Sequence, residues 1–169
     1  RYHPALVALN WILAVMLILA LVAGGVLLEG TPNGDPAKLD GLRAHMSVGG
    51  AILVLMLVRL VVRGVTRHPA EANPPGSLAA RVTHWGLYAV AIAMAASGVA
   101  LSVAAGLPGI VFGGEGSLPP DFSAYAPRAV HGALSKVLMA LIALHVAAAI
   151  WHAGVKRDGL MARMWFGPR

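Results

Sequence analysis

With 169 residues, of which 58% are hydrophobic and only 12% charged, the chain has the composition of one membrane-embedded domain. It contains no cysteine, which excludes a disulfide scaffold, thiolate-ligated iron–sulfur clusters and any Cys-x-x-Cys-His attachment motif. A formal charge of +6 would suit a nucleic-acid binder if it formed one patch; spread along the chain it reads as membrane topology, and no nucleic-acid partner is expected.

Four apolar runs are each long enough to cross a bilayer, which takes about 20 residues. They fall at about 5–28, 43–63, 81–104 and 128–154, and predict an all-α integral membrane four-helix bundle over 1–169. The first run is expected to be a retained span rather than a cleavable signal, because it is too long, lacks a small-residue cleavage site and is followed by three more. The chain opens at Arg1 without a methionine, as a sequence with further residues upstream would. Gly30 to Asp40, with Pro32, Gly34 and Pro36, predicts a turn-rich connection, and Thr66 to Ser77, with Pro69, Pro74 and Pro75, a second. Gly106 to Pro127 is the longest connection and is expected to lie over the membrane surface.

Basic residues orient the spans, since short cytoplasmic segments retain Lys and Arg. Arg1, Arg59, Arg63, Arg67, Arg81, Lys156, Arg157, Arg163 and Arg169 fall on one side, against Lys38, Arg43 and Arg128 on the other, with Lys136 inside the fourth span. Nine against three places both termini in the cytoplasm of a multi-pass protein.

The last span carries three histidines in an almost wholly aliphatic stretch. His131 and His145 are 14 residues apart, so they lie about 40° from one face and about 21 Å apart along a helix axis. His152 follows seven residues later on that face. Imidazoles on one side of a membrane helix, near both leaflets, are what stacked haems need for axial ligands; the alternative is interhelical hydrogen bonding. No acidic companions share the spans, which disfavours a metal-transport path.

Depth sorts the candidates. His45 opens the second span and His131 the fourth, so the two can meet across one haem iron near the outer surface. Gly49 and Gly50 follow His45, and Gly132 adjoins His131; each leaves room for a flat macrocycle or for ordinary helix packing. His145 lies deep enough for a second haem, whose other side must come from the first or third span. Asn10 has the depth but a carboxamide is a poor ligand for iron; His84 is the nearest histidine, as a ligand or as a hydrogen-bonding partner. His3 and His152 form a further layer near the cytoplasmic surface, and His68 belongs to a solvated loop. Arg59 and Arg63 either neutralise haem propionates or snorkel to headgroups. Arg43 and Arg128, with Lys38 on the same side, stand near the outer pair, where they either neutralise haem propionates or form a positive entrance that steers an anion.

These residues resemble the bacterial cytochrome b561 family, small four-helix membrane cytochromes b that include the superoxide oxidase type. The resemblance lies in Arg1-Tyr2-His3-Pro4 followed by Ala8-Leu9-Asn10-Trp11, and in His45-Met46-Ser47-Val48-Gly49 leading to Arg59-Leu60-Val61-Val62-Arg63. It continues through His84 to Gly98 and from Val130-His131 through Leu144-His145-Val146-Ala147-Ala148 to His152 and Lys156-Arg157-Asp158-Gly159. It implies two b haems and electron exchange with a quinone such as ubiquinone or menaquinone. It also implies an outer haem on His45 and His131, and an inner haem on His145 with a first-helix histidine. The matching first-helix position is Asn10, a departure that puts the inner haem in question. The resemblance places quinone near His152, with Trp11 and Trp151 as pocket walls or interface anchors. The expected function is quinone-linked electron transfer from the outer haem. The alternative is a haem-bearing anchor or accessory subunit of a larger respiratory or photosynthetic complex, with partner redox subunits docked on it.

Overall fold

The structure, a computed structural model, describes residues 2–66 and 77–165. Arg1, Arg67, His68, Pro69, Pro74, Pro75 and Arg169, named above, lie outside the described residues. Four helices are long and apolar enough to cross a membrane. Helix α1 (Pro4–Val22) runs on through a π-helical segment, Ala23–Leu28. Then come α2 (Pro36–Val65), α3 (Ser77–Ala104), a short α4 (Leu107–Gly113), α5 (Ala126–Trp151) with its π-helical continuation His152–Lys156, and a final turn α6 (Leu160–Arg163).

Helix starts follow their caps rather than the hydropathy limits. Helix α2 begins seven residues before the expected 43 because Asp35 accepts a hydrogen bond from Ala37 N at 2.9 Å and Pro36 supplies a preset φ in the first turn. Helix α1 starts at Pro4, where the His3 ring accepts from Ala5 N at 3.3 Å. His3 is therefore a helix cap, not part of a ligand layer. The long stretch after α3 is not wholly irregular, since it opens with a short helix. Gly106 and Gly114, at φ 65° and 71°, turn the chain into and out of α4. Leu107 and Val111 of α4 then bury against Leu42 and Ala105, sealing that end of the bundle.

Each long helix packs on its chain neighbour, α3 and α5 most closely, whereas neither α1 with α5 nor the diagonal pair α2 and α5 packs closely. The central core is Leu13, Ile52, Met56, Tyr88, Ala91 and Leu138. It separates a loop end, which carries the 29–35 and 105–125 connections, from a terminal end where the chain's two extremities meet: Tyr2 N donates to Arg163 O at 3.1 Å.

Candidate functional site

At the loop end α2 and α5 each project one histidine into the bundle. The rings of His45 and His131 have centres 6.2 Å apart and planes at 83°. An imidazole nitrogen binds a first-row metal at about 2.0 Å and lies about 1.15 Å from its ring centre, so two imidazoles on opposite sides of one metal have centres about 6.3 Å apart. The observed separation fits a single intervening iron.

The orientation of each ring has a cause. His131 Nδ1 lies 3.0 Å from Met94 O and 3.1 Å from Ser97 Oγ. The carbonyl only accepts, and Ser97 Oγ itself donates to Met94 O at 2.7 Å. Nδ1 therefore carries the proton and shares it between the two oxygens, which leaves Nε2 as a free lone-pair donor, the arrangement in which a histidine ligates. Across the gap, His45 Nδ1 is buried with no hydrogen-bond partner among the described residues. A buried polar atom left in that state points to a group that belongs beside it. The cavity between the rings is lined by His45, Gly49, Met94, Ala95 and His131 together with aliphatic side chains of α1.

Glycines shape this gap, though not all of those expected. A Cβ on Gly49 or Gly50 would meet nothing within 4 Å, so that side is open, and Gly49 lines the cavity. Gly132 does not serve the site: its free side is taken by Arg128 Nη1, 3.0 Å from where a Cβ would stand. Two other glycines hold the rings. A Cβ on Gly24 would come within 3.1 Å of His45 Cε1, and one on Gly98 within 3.1 Å of His131 Cε1. Sequence reading missed both because nothing in a run of small residues tells which one backs a ring on another helix.

Lys38, Arg43 and Arg128 do not form a free positive entrance. Lys38 is buried and its ammonium donates to Leu28 O and, at 2.7 Å, to Thr31 O, closing the last turn of the first span. Arg43 clasps α4 through Val111 O at 2.9 and 3.2 Å and pairs with Asp40 at 2.6 Å. Arg128 stands 3.6 Å from Glu29. Each cation is spent on a neighbouring carbonyl or carboxylate.

The terminal half gathers a second histidine pair and two arginines. His84 and His145, from α3 and α5, have ring centres 5.4 Å apart and planes at 67°. Arg59 donates to Leu6 O at 2.7 Å and to Asn10 Oδ1 at 3.1 Å, and its Cζ lies 5.6 Å from the centre of the Tyr88 ring. Arg63 stacks on Trp85 at 5.7 Å. Both arginines thus lie over aromatic rings rather than reaching only for headgroups. The Tyr88 hydroxyl is buried and without a partner among the described residues. Beyond this layer, His152 lies 2.5 Å from Asp158. Trp11 donates to Met164 O at 3.0 Å and meets the edge of Trp165, while Trp151 is exposed. Among the described residues no group of three or more His, Asp or Glu side chains is placed to hold a bare metal ion.

The model of the family described as prokaryotic cytochrome b561 matches residues 1–167. The chain is 27% identical to cytochrome b561 homolog 1 of Escherichia coli K12, over 97% of this chain and 96% of that one. It is 28% identical to the probable superoxide oxidase CybB of Yersinia pestis, over 97% and 95%. Cytochrome b561 homolog 2 of E. coli K12 is 25% identical over 97% and 90%. Four apolar spans, a facing histidine pair at iron spacing and a family match along nearly the whole length lead to one conclusion: the chain belongs to the prokaryotic cytochrome b561 family, whose members are membrane proteins that bind b-type haem.

Proposed function

We propose that His45 and His131 are the axial ligands of a b-type haem and that this haem passes single electrons between a donor and a membrane quinone or another redox centre. The observation that carries the reading is the 6.2 Å separation of the two rings, with His131 anchored through Nδ1 on Met94 O. When bound, haem supplies a one-electron couple. The chain would hold that group by two imidazoles, His45 and His131, from different helices, and with both nitrogens given to the iron there would be no place on it for oxygen or substrate. Gly24 and Gly98 back the rings so that neither turns away, and α4 caps the site from the aqueous phase. Superoxide as the donor belongs to this reading by relationship to the probable superoxide oxidase; a quinone as the acceptor belongs to it as what the family resemblance implies. In it the loop end faces the outside of a bacterial inner membrane and both termini face the cytoplasm.

The test is a reduced-minus-oxidised spectrum of the purified chain, followed by stopped-flow reoxidation with a short-chain quinone. A low-spin b-type band whose amplitude falls by one haem per polypeptide in His131→Ala supports the assignment; an amplitude unchanged in both His45→Ala and His131→Ala refutes it. A second reading, an accessory subunit of a larger redox complex, is favoured by one feature. Lys136 sits exposed on α5, ten residues into the span, where a charge facing lipid is costly and an acidic partner helix would relieve it. Stoichiometric partner chains retained through purification, and lost in Lys136→Leu, would favour it.

A further inference from the structure

We infer that this chain carries one haem rather than two: the histidine layer at the terminal end is closed to a second iron. The inference rests on the reading of His45 and His131 as ligands and uses that pair as its internal standard.

Three observations at the terminal end agree. The first is spacing. The His45 and His131 centres, at 6.2 Å, keep the gap an iron requires, whereas the His84 and His145 centres are 5.4 Å apart, about 0.9 Å short of the separation that two metal–nitrogen bonds impose. Those two histidines come from α3 and α5, the most closely packed helices of the bundle. Widening the gap, and admitting a macrocycle between the rings, means parting that interface. In close-packed interiors such a separation forfeits dispersion contacts along the whole helix pair.

The second observation concerns the remaining side of His145. The residue of suitable depth on α1 is Asn10, and its carboxamide oxygen is already an acceptor for Arg59 Nη2 at 3.1 Å, while Arg59 Nη1 is fixed on Leu6 O at 2.7 Å. A guanidinium is always protonated. Freeing Asn10 as a ligand would therefore strip a charged donor of its partner inside the bundle, and would gain only a weak oxygen–iron bond in exchange.

The third is cover. Next to Asn10, Trp11 is bonded to Met164 O and packed edge-on against Trp165 with ring centres 5.8 Å apart. Tyr2 is bonded to Arg163. The tail, turned back at Arg157 and Gly159 with φ of 51° and 73°, thus lies against α1 beside the position that would face His145.

A single haem at the loop end confines electron entry and exit to that end. His152 is 21 residues beyond His131, about 32 Å along the helix axis, so an acceptor at the His152 and Asp158 pair would be out of reach of the iron. The quinone or partner centre must then bind near the loop end.

The experiment is the ratio of haem to polypeptide in the detergent-purified full chain, from the pyridine haemochrome and quantitative amino-acid analysis. It is paired with electron paramagnetic resonance of the oxidised protein and a potentiometric titration. The inference expects a ratio of one, one low-spin signal and one redox wave, all unchanged in His84→Ala and His145→Ala; the surviving spectrum itself shows that the variants fold. A ratio of two in the wild type, or a halved ratio in either variant, overturns it while leaving the His45 and His131 reading intact. If neither variant accumulates, the wild-type ratio decides alone. A wild-type ratio of zero after expression with excess haem would overturn the proposed function itself.

Discussion

Gly98 stands directly behind the ring of His131: a Cβ at that position would lie 3.1 Å from Cε1 and 3.4 Å from Nδ1. The Nδ1–Cε1 edge of the imidazole is thus held against α3 by the Met94 carbonyl, Ser97 and the bare backbone of Gly98 together. Gly24 meets the His45 ring from α1 in the same manner. Ring position is therefore set by contact with main chain, which does not yield as a flexible side chain does.

Gly98→Ala is expected to push the ring by a few tenths of an ångström and Gly98→Val to displace it. Loss of the support that orients a metal-bound histidine typically costs about 10- to 100-fold in affinity. Haem retained after gel filtration in haem-free buffer should fall in the order wild type, Ala, Val. Equal retention in all three would show that the contact does not constrain the ligand.

Ser97→Ala removes one of the two oxygens that share the His131 proton and leaves Met94 O in place. The loss is expected to be about 1 kcal/mol, the usual net worth of one neutral hydrogen bond. Haem should still bind, with the Soret position unchanged and the midpoint potential shifted, because hydrogen bonds to a metal-bound histidine tune the metal. Complete loss of haem in Ser97→Ala would mean that the hydroxyl, not the carbonyl, fixes the tautomer.

Lys38 is buried and donates to two carbonyls where the first span ends, so its charge also complements the negative end of that helix. Lys38→Met keeps the aliphatic stem and deletes the charged donor. Charge-assisted hydrogen bonds are worth about 1.5–3 kcal/mol, and a fall of several degrees in the thermal midpoint in detergent is expected, with the haem spectrum of the surviving protein unaltered. An unchanged midpoint would mean the ammonium contributes nothing net.

Asp158 lies outside the spans, and its hydrogen bond to the His152 ring holds its carboxyl below the ordinary carboxylate value, helped by the Leu160 amide and by Lys156. A depressed folded-state value means the carboxylate stabilises the tail fully above its unfolded value near 3.8 and loses that contribution as pH falls through the lower folded value. Tryptic accessibility at Lys156 and Arg157, read after brief acid exposure, should rise as pH drops below 4 in the wild type. In Asp158→Asn it should already be raised at neutral pH and be independent of acid. A pH profile identical in the two proteins would remove the carboxylate from the account.

The four spans, and which end of the bundle His45 and His131 share, were legible in the sequence because lipid leaves only long apolar helices as options and helical periodicity then fixes the faces. His45 and His131 could be paired on that basis alone. Helix limits were less legible: α2 extends back to Pro36 because a cap outweighs hydropathy, and α4 went unseen because a seven-residue stretch that itself contains Pro108, Gly109 and Gly113 carries no periodic signal. The pairing of His145 with His84 rather than with α1 depends on how closely α3 and α5 approach, a property of small residues facing one another across helices. The same limit hid Gly24 and Gly98. Cations were legible as topology markers but not as individuals, since Lys38, Arg43 and Arg59 each end on a main-chain carbonyl whose position only the folded chain supplies.

The bonds from Tyr2 to Arg163 and from Trp11 to Met164 tie the first span to the last dozen residues of the described chain. During synthesis α1 enters the membrane long before those residues leave the ribosome, so this clasp is the final contact to form. A nascent chain halted after α5 would have its spans inserted but its first helix unfastened, and a bulky fusion placed directly after Trp165 would hold the molecule in that unfinished state.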